Sequence, residues 1–237
     1  MSGVRNETYR WPLALVVVFG SGWSILAEDK PVAKEERFDL LVREDLFAGF
    51  GGDKEALARG MKICDEALKT NPKNAEALVW RGAGRVYLAG QAFQEKNQAE
   101  GFKLFMSGQK DMDDAVKLEP KNVGVRIPRA SVLMPASGGM PAAMAKPLLE
   151  KVREDFEAIY ELQKDSLDKV GTHPKGELRM GLADVYRRLG NAEKSKEQMD
   201  ILVKELPDTK YSARAIEWLA AKPDVKLAHS CIGCHTK

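Results

Sequence analysis

The chain has 237 residues, of which 30% are charged, and its 37 basic side chains nearly balance its 35 acidic ones. This length and composition suit a folded protein with one core or one short array of repeats, and they exclude a disordered chain. A formal charge of +2 gives no field that would recruit nucleic acid. The sequence also lacks a Walker-type glycine loop, a G-x-S-x-G turn and an H-E-x-x-H motif.

The first 27 residues have the layout of a secretory signal peptide. Arg5 and Arg10 precede an apolar run over residues 13–26. This run is shorter than the roughly 20 residues that span a bilayer as a helix. Residues 1–27 are therefore predicted to direct export to the bacterial periplasm. The residues before Ala27 depart from the A-x-A cleavage pattern, so an uncleaved membrane anchor stays open as the alternative.

A polar linker, residues 28–37, follows the signal, and residues 38–221 are predicted to be almost entirely helical. Apolar residues recur at helical spacing, the segments end at Asn-Pro, Glu-Pro and Leu-Pro, and strand-like alternation is scarce. The predicted helices are 38–49, 54–70, 75–89, 98–118, 142–169, 177–189, 192–206 and 211–221. This pattern predicts an all-α fold.

Three of the helices end in a similar phrase. The phrases are Ala67-Leu68-Lys69-Thr70-Asn71-Pro72-Lys73-Asn74, Ala115-Val116-Lys117-Leu118-Glu119-Pro120-Lys121-Asn122 and Leu202-Val203-Lys204-Glu205-Leu206-Pro207. Here the chain resembles the tetratricopeptide repeat (TPR) family, which repeats at about 34 residues as two antiparallel helices. Leu78 and Gly82, and later Ala183 and Tyr186, match the large and small positions of that pattern. The resemblance covers residues 38–221 and implies a solenoid of roughly three to four helical hairpins.

The prolines are spaced more widely than this repeat requires, so insertions are expected. The extra residues are most easily placed around 91–100 and in a loop over 135–147, where Pro135 ends a helix that follows Asn122. The helix at 211–221 is predicted to cap the last repeat. Its apolar face would consist of Ala215, Ile216, Trp218 and Leu219. The first helices show no dense set of one charge, so the resemblance implies a protein or peptide ligand without revealing its chemistry.

The tail, residues 222–237, carries the most specific motif. It contains Cys231-Ile232-Gly233-Cys234-His235, which resembles the haem attachment site of c-type cytochromes. The resemblance implies that Cys231 and Cys234 hold one haem c through thioether bonds and that His235 is the proximal ligand of the iron. Two of the three cysteines would then be used as thioethers, so that no unmatched disulfide partner is needed and Cys64 stands alone.

Other uses of this motif stay open. Cys231 and Cys234 could form a disulfide or a redox-active thiol pair, and a zinc site would need Cys64, His173 or His229 as further ligands. Cys64 stands at an apolar repeat position and is otherwise predicted to be an inert buried thiol. The sixth iron ligand would come from His229 or His173, or the position would be open. Three methionines are further candidates for it: Met134, Met140 and Met144.

Two functions follow from these patterns. The first is an exported monohaem c-type cytochrome-like protein that transfers electrons, with the repeats docking a redox partner protein. Its haem edge would have a basic rim formed by Lys222, Lys226 and Lys237. The second is an exported adaptor whose repeat groove binds protein and whose tail forms a disulfide or is vestigial. A peroxidase is a third reading, but no distal acid or base can be assigned, so catalysis is not predicted.

Overall fold

The computed structural model describes residues 37–220, and over this range the chain forms nine α-helices and no strand. The helices are α1 (Phe38–Phe50), α2 (Lys54–Thr70), α3 (Ala75–Gln94), α4 (Gln98–Leu118), α5 (Val123–Ala136), α6 (Ala142–Gln163), α7 (Thr172–Arg188), α8 (Ala192–Glu205) and α9 (Lys210–Ala220). Two short 3-10 helices, Ser137–Gly139 and Lys164–Lys169, flank α6. The predicted all-α fold is confirmed.

Consecutive helices pack as hairpins. The pairs are α1 with α2, α3 with α4, α5 with α6, and α7 with α8, while α9 packs against α8 and α7. First helices of neighbouring hairpins also touch, since α3 contacts both α1 and α5. A hairpin cannot bury its own apolar face, so this stacking supplies the core. The described residues thus form the helical-hairpin array that was expected. None of their helices is long and apolar enough to cross a bilayer.

The repeated Pro-Lys-Asn phrase begins the next hairpin. Asn74 accepts a hydrogen bond from the backbone N–H of Ala77 at 3.0 Å, and Asn122 accepts one from Gly124 at 2.7 Å. Each asparagine therefore caps a first helix, satisfying an amide that has no partner inside the helix. Three second helices are capped in the same way, by Asp53, Asn97 and Asn191.

The helices α3 and α4 approach each other closely through two glycines. A Cβ atom on Gly82 would lie 2.7 Å from the carbonyl oxygen of Gly108 and 2.6 Å from the Cγ atom of Met112. A Cβ atom on Gly108 would lie 2.7 Å from the carbonyl oxygen of Gly82. Only hydrogen fits on either side, so the small residue expected at position 82 permits the backbone contact of this hairpin.

Two hairpins share a buried ionic arrangement that the sequence analysis missed. In the α3–α4 hairpin, Asp111 accepts hydrogen bonds from Arg81 at 2.8 Å and Arg85 at 2.6 Å. In the α5–α6 hairpin, Asp155 accepts them from both Arg126 and Arg129 at 2.7 Å. The first helices α3 and α5 therefore each carry two arginines that donate to one aspartate of the second helix.

The additional residues lengthen helices instead of forming long loops. α3 continues to Gln94, and only residues 95–97 separate it from α4. The loop expected over 135–147 is limited to the 3-10 turn and residues 140–141, because α6 begins at Ala142 and includes Pro147. A proline removes a single helical hydrogen bond, and the burial of the two leucines that follow it, Leu148 and Leu149, offsets that loss.

The capping helix α9 buries a face that differs from the predicted one. Tyr211, Ser212 and Ala215 are buried, and Trp218 packs partly against them. Ile216 is 55% exposed and Leu219 is 37% exposed. Positions 211, 215 and 218 follow the helical spacing of four and three, whereas 216 lies beside this stripe. Ala215 and Trp218 are therefore placed as predicted, and Ile216 is not.

Candidate functional site

The predicted haem attachment residues lie outside the described part of the chain. These are Cys231, Cys234 and His235, together with His229 and the tail lysines. Their assignment stays a prediction, as does the signal peptide. Within residues 37–220 no three His, Cys, Asp or Glu side chains come together as a metal site.

His173, a candidate for the sixth iron ligand, lies in the first turn of α7 and not in a loop. Pro174 is tolerated there because the first amides of a helix lack intrahelical partners. The Nδ1 atom of His173 is 2.6 Å from the hydroxyl oxygen of Tyr211 on α9. That hydroxyl donates to the Oε1 atom of Glu177 at 2.9 Å. The three side chains thus connect the start of α7 to the start of α9.

The hydrogen-bond directions define the tautomer of His173. An ionised Glu177 only accepts, so the single hydroxyl proton of Tyr211 is directed toward it. The short contact to Nδ1 then requires that Nδ1–H of His173 donates to the tyrosine oxygen. In the neutral imidazole this places the lone pair on Nε2. Histidines that bind metals in proteins are oriented in this way by a second hydrogen bond.

The other residues considered as ligands are mostly committed to packing. Cys64 is completely buried, as predicted, and its burial raises the pKa of the thiol to about 12. Met134 is 4% exposed and lies in the main core. Met140 is partly buried against that core, whereas Met144 is half exposed.

An apolar pocket of about 250 Å³ lies between the ends of the first helices α1, α3 and α5. We call it the first-helix pocket, and its larger lining side chains include Phe50, Tyr87, Phe93, Phe105, Pro135 and Met140. The rings of Phe50 and Tyr87 pack with their centroids 5.1 Å apart. An apolar concavity with ordered aromatic walls suits an apolar side chain of a bound molecule.

A second cavity, of about 450 Å³, lies between the start of α6 and the end of α7. We call it the basic cavity, since Lys146, Arg187 and Arg188 line it together with Ser137, Gly138 and Ala142. The buried carboxylate of Asp184 contacts both arginines at 2.9 Å. Sequence patterns could not indicate this site, because its cations come from helices that are far apart in the chain.

The end of α9 is close to this cavity. The guanidinium carbon of Arg187 is 5.5 Å from the ring centroid of Trp218. The described chain ends two residues later, at Ala220. At the opposite end of both helices, His173 of α7 meets Tyr211 of α9. The helices α7 and α9 therefore run in the same direction, and α9 ends at the Arg187 end of α7.

Comparisons with known proteins add little to these observations. No protein-family profile matches the chain, and no curated protein sequence is significantly similar to it. Among solved structures, the crystal structure of a thermophilic TPR protein from Thermus thermophilus is 16% identical. The match covers 75% of this chain and 100% of that chain, with a TM-score of 0.34. The class defined here, an all-α array of helical hairpins, therefore rests on the packing of the helices themselves.

Proposed function

We propose that the protein is an exported monohaem c-type cytochrome-like carrier whose helical hairpins dock a partner protein. The observation that carries this proposal is the sequence Cys231-Ile232-Gly233-Cys234-His235. Two cysteines at this spacing reach the two vinyl groups of one haem, and the next residue supplies an imidazole for the iron. The predicted export signal supports it, because the c-type cytochromes that this motif resembles acquire their haem in an oxidising compartment outside the cytosol.

Each residue has a distinct part in this proposal. Cys231 and Cys234 would hold the haem covalently, and His235 would bind one side of the iron. His229 and His173 stay candidates for the other side. The tautomer of His173, with its Nδ1–H directed at Tyr211, supports a ligand role. Haem c would supply one-electron redox chemistry when bound, and the protein would set its exposure and electrostatic surroundings.

The hairpin body would supply the partner site. The first-helix pocket supports this part of the proposal, because Phe50, Tyr87 and Phe93 leave an apolar recess open on a folded body. A partner would insert an apolar side chain into this pocket, and the redox group of the partner would lie close to the exposed edge of the haem. No nucleic acid is involved in this scheme, and a membrane is involved only if residues 1–27 stay attached.

The test is to produce the full-length chain together with a c-type haem maturation system. We expect an intact mass, measured after denaturation, that exceeds the polypeptide mass by one haem, and a haem absorption spectrum in the reduced protein. The control is the variant Cys231→Ala, Cys234→Ala, which removes both thioether positions. A wild-type protein that keeps its polypeptide mass under these conditions would refute the haem proposal.

An adaptor without haem is the second candidate, and the first-helix pocket is the observation that favours it. In that case the pocket alone would carry the function, and the variant Cys231→Ala, Cys234→Ala would retain all binding of the partner. Substitution of Tyr87, which is partly buried in the pocket wall, by Ala would weaken binding in both cases. The double cysteine variant therefore distinguishes the two functions.

A further inference from the structure

We infer that the basic cavity at the end of α7 is the docking site for the propionate edge of the haem carried by the chain's own tail. This inference rests on the proposed function, and it adds the location of the haem on the body. Three observations support it: the charge of the cavity, the hydrogen-bond donors that line it, and the position at which α9 ends.

The cavity has an excess of positive charge. Lys146, Arg187 and Arg188 line it, and the carboxylates that face these cations are Asp184 and, at 3.9 Å from the Lys146 amine, Glu150. The remaining positive charge is concentrated in a recess with low-dielectric walls, where it attracts anions more strongly than on an open surface. A haem carries two propionate carboxylates on one edge, so its charge is complementary to the cavity.

Hydrogen-bond donors in the cavity also favour carboxylates. The side chain of Lys146 is 71% exposed, those of Arg187 and Arg188 are 26% and 24% exposed, and all three carry N–H donors. The first turn of α6 follows Pro141, which offers no side-chain acceptor to the helix amides. The volume of about 450 Å³ accommodates the propionate edge, with the rest of the porphyrin lying against the surface. The donors therefore fit carboxylate groups.

The end of α9 lies near this cavity. α9 ends at Ala220, two residues after Trp218, whose ring contacts Arg187. The ten residues 221–230 join this point to Cys231. Ten extended residues span at most about 35 Å, so the tether is long enough for the haem to reach the basic cavity. A short tether makes docking intramolecular, with an effective concentration in the millimolar range.

This location excludes His173 as the ligand of the docked haem. His173 and Arg187 are both on α7, 14 positions apart, which corresponds to about 21 Å along the helix axis. The porphyrin cannot place its propionates at Arg187 and its iron at His173 at the same time. Docking at the basic cavity therefore leaves the sixth position to one of the other candidates, such as His229 or Met144, to a partner, or open.

The test uses the full, haem-loaded chain labelled with ¹⁵N and compares its amide spectrum with that of the haem-free variant Cys231→Ser, Cys234→Ser. Paramagnetic ferric haem perturbs nearby amides, so we expect the affected residues to cluster at 137–146 and 187–189. The charge reversal Lys146→Glu should reduce these perturbations several-fold, as should high salt. Lys146 is 71% exposed, so its replacement preserves the fold.

The matched control is Lys110→Glu, since Lys110 on α4 is 75% exposed and, like Lys146, is paired with an acidic residue four positions later. It should leave the perturbations unchanged. Perturbed amides at 172–176, no perturbed amides on the body, or insensitivity to Lys146→Glu would each overturn the docking site while the haem proposal stands. A chain that acquires no covalent haem would overturn both, and the intact mass distinguishes this case.

Discussion

Arg129 and Asp155 form a buried bidentate ion pair between α5 and α6. The Nε and Nη2 atoms of Arg129 donate to the two carboxylate oxygens at 2.7 and 2.8 Å, and Asp155 has no exposed side-chain surface. Arg126 donates a third hydrogen bond to the same carboxylate. The pair joins the two helices of the third hairpin, and Arg129 also contacts Asp113 of the second hairpin.

The variant Asp155→Asn should destabilise the protein strongly. It removes the charge that compensates two arginines in a dry environment, and breaking one side of a buried pair costs about 3–5 kcal/mol of unfolding free energy. Urea unfolding at neutral pH measures this loss. Asp114→Asn is the control, because Asp114 pairs with Lys110 on the surface and such pairs contribute about 1 kcal/mol or less. Equal effects of the two variants would contradict the buried role of Asp155.

The contact between α3 and α4 predicts opposite effects for two glycine substitutions in one helix. Gly82→Ala would force a methyl group within 2.7 Å of the Gly108 carbonyl oxygen, and overpacking of this kind costs about 1–3 kcal/mol. Gly90→Ala meets no atom within 4 Å, so the better helix propensity of alanine should stabilise by about 0.4–1 kcal/mol. Thermal unfolding of both variants beside the wild type provides the comparison. A stabilising Gly82→Ala would mean that the helices are farther apart.

The bounds of a helix were predicted best where a regular helical spacing of apolar residues begins directly after a capping residue. α2 and α4 have the predicted bounds, since Asp53 and Asn97 start them and their amphipathic pattern is regular. The helix α7 begins at Thr172, earlier than predicted, because Pro174 in its first turn was interpreted as a residue that interrupts a helix. The side-chain pairs could not be predicted, because Arg129 and Asp155 are 26 positions apart and meet only after the hairpin closes. For the haem motif the opposite holds: only the sequence supports it, because its residues lie outside the described part of the chain.

Tyr186 should make stability fall at high pH. Burial and the hydrogen bond to Glu157 raise the pKa of its phenol from 10.0 to about 12. Above pH 10 the unfolded chain releases this proton while the folded chain keeps it, so the folded state loses stability as the pH rises toward 12. Tyr186→Phe should lower stability at neutral pH by about 1 kcal/mol, through the lost hydrogen bond, and flatten the decline between about pH 9 and about pH 11. Urea unfolding at a series of pH values across that range gives the free energy of unfolding of both proteins. Parallel curves of this free energy against pH would show that the pKa of Tyr186 is the same in the folded and unfolded chains.

Thiol labelling gives a second test of the haem assignment that does not depend on absorbance. The chain contains three cysteines, and attachment of haem through Cys231 and Cys234 leaves Cys64. The haem-loaded protein should therefore accept one alkyl group when denatured. When folded it should accept none, because Cys64 is completely buried and its raised pKa keeps the thiol protonated. Mass spectrometry after alkylation in each state measures both. Labelling of three cysteines in the denatured protein would contradict thioether attachment.

His173 decides between two positions for the haem, at opposite ends of α7. If the haem docks at the basic cavity, His173→Gln changes neither the absorption spectrum nor the midpoint potential of the haem-loaded protein. If the iron instead binds Nε2 of His173, the same variant loses a strong axial ligand, and the ferric spectrum shifts toward a high-spin form.

Tyr211→Phe is the companion variant, because it removes the acceptor of the Nδ1–H hydrogen bond while leaving the imidazole in place. For a ligating histidine that change alters the potential, since the second hydrogen bond tunes ligand basicity. For a structural histidine it lowers only the unfolding free energy, by loosening α9 from α7. A spectrum that responds to both variants would therefore place the haem at the His173 end, and one that responds to neither is the result expected for docking beside Arg187.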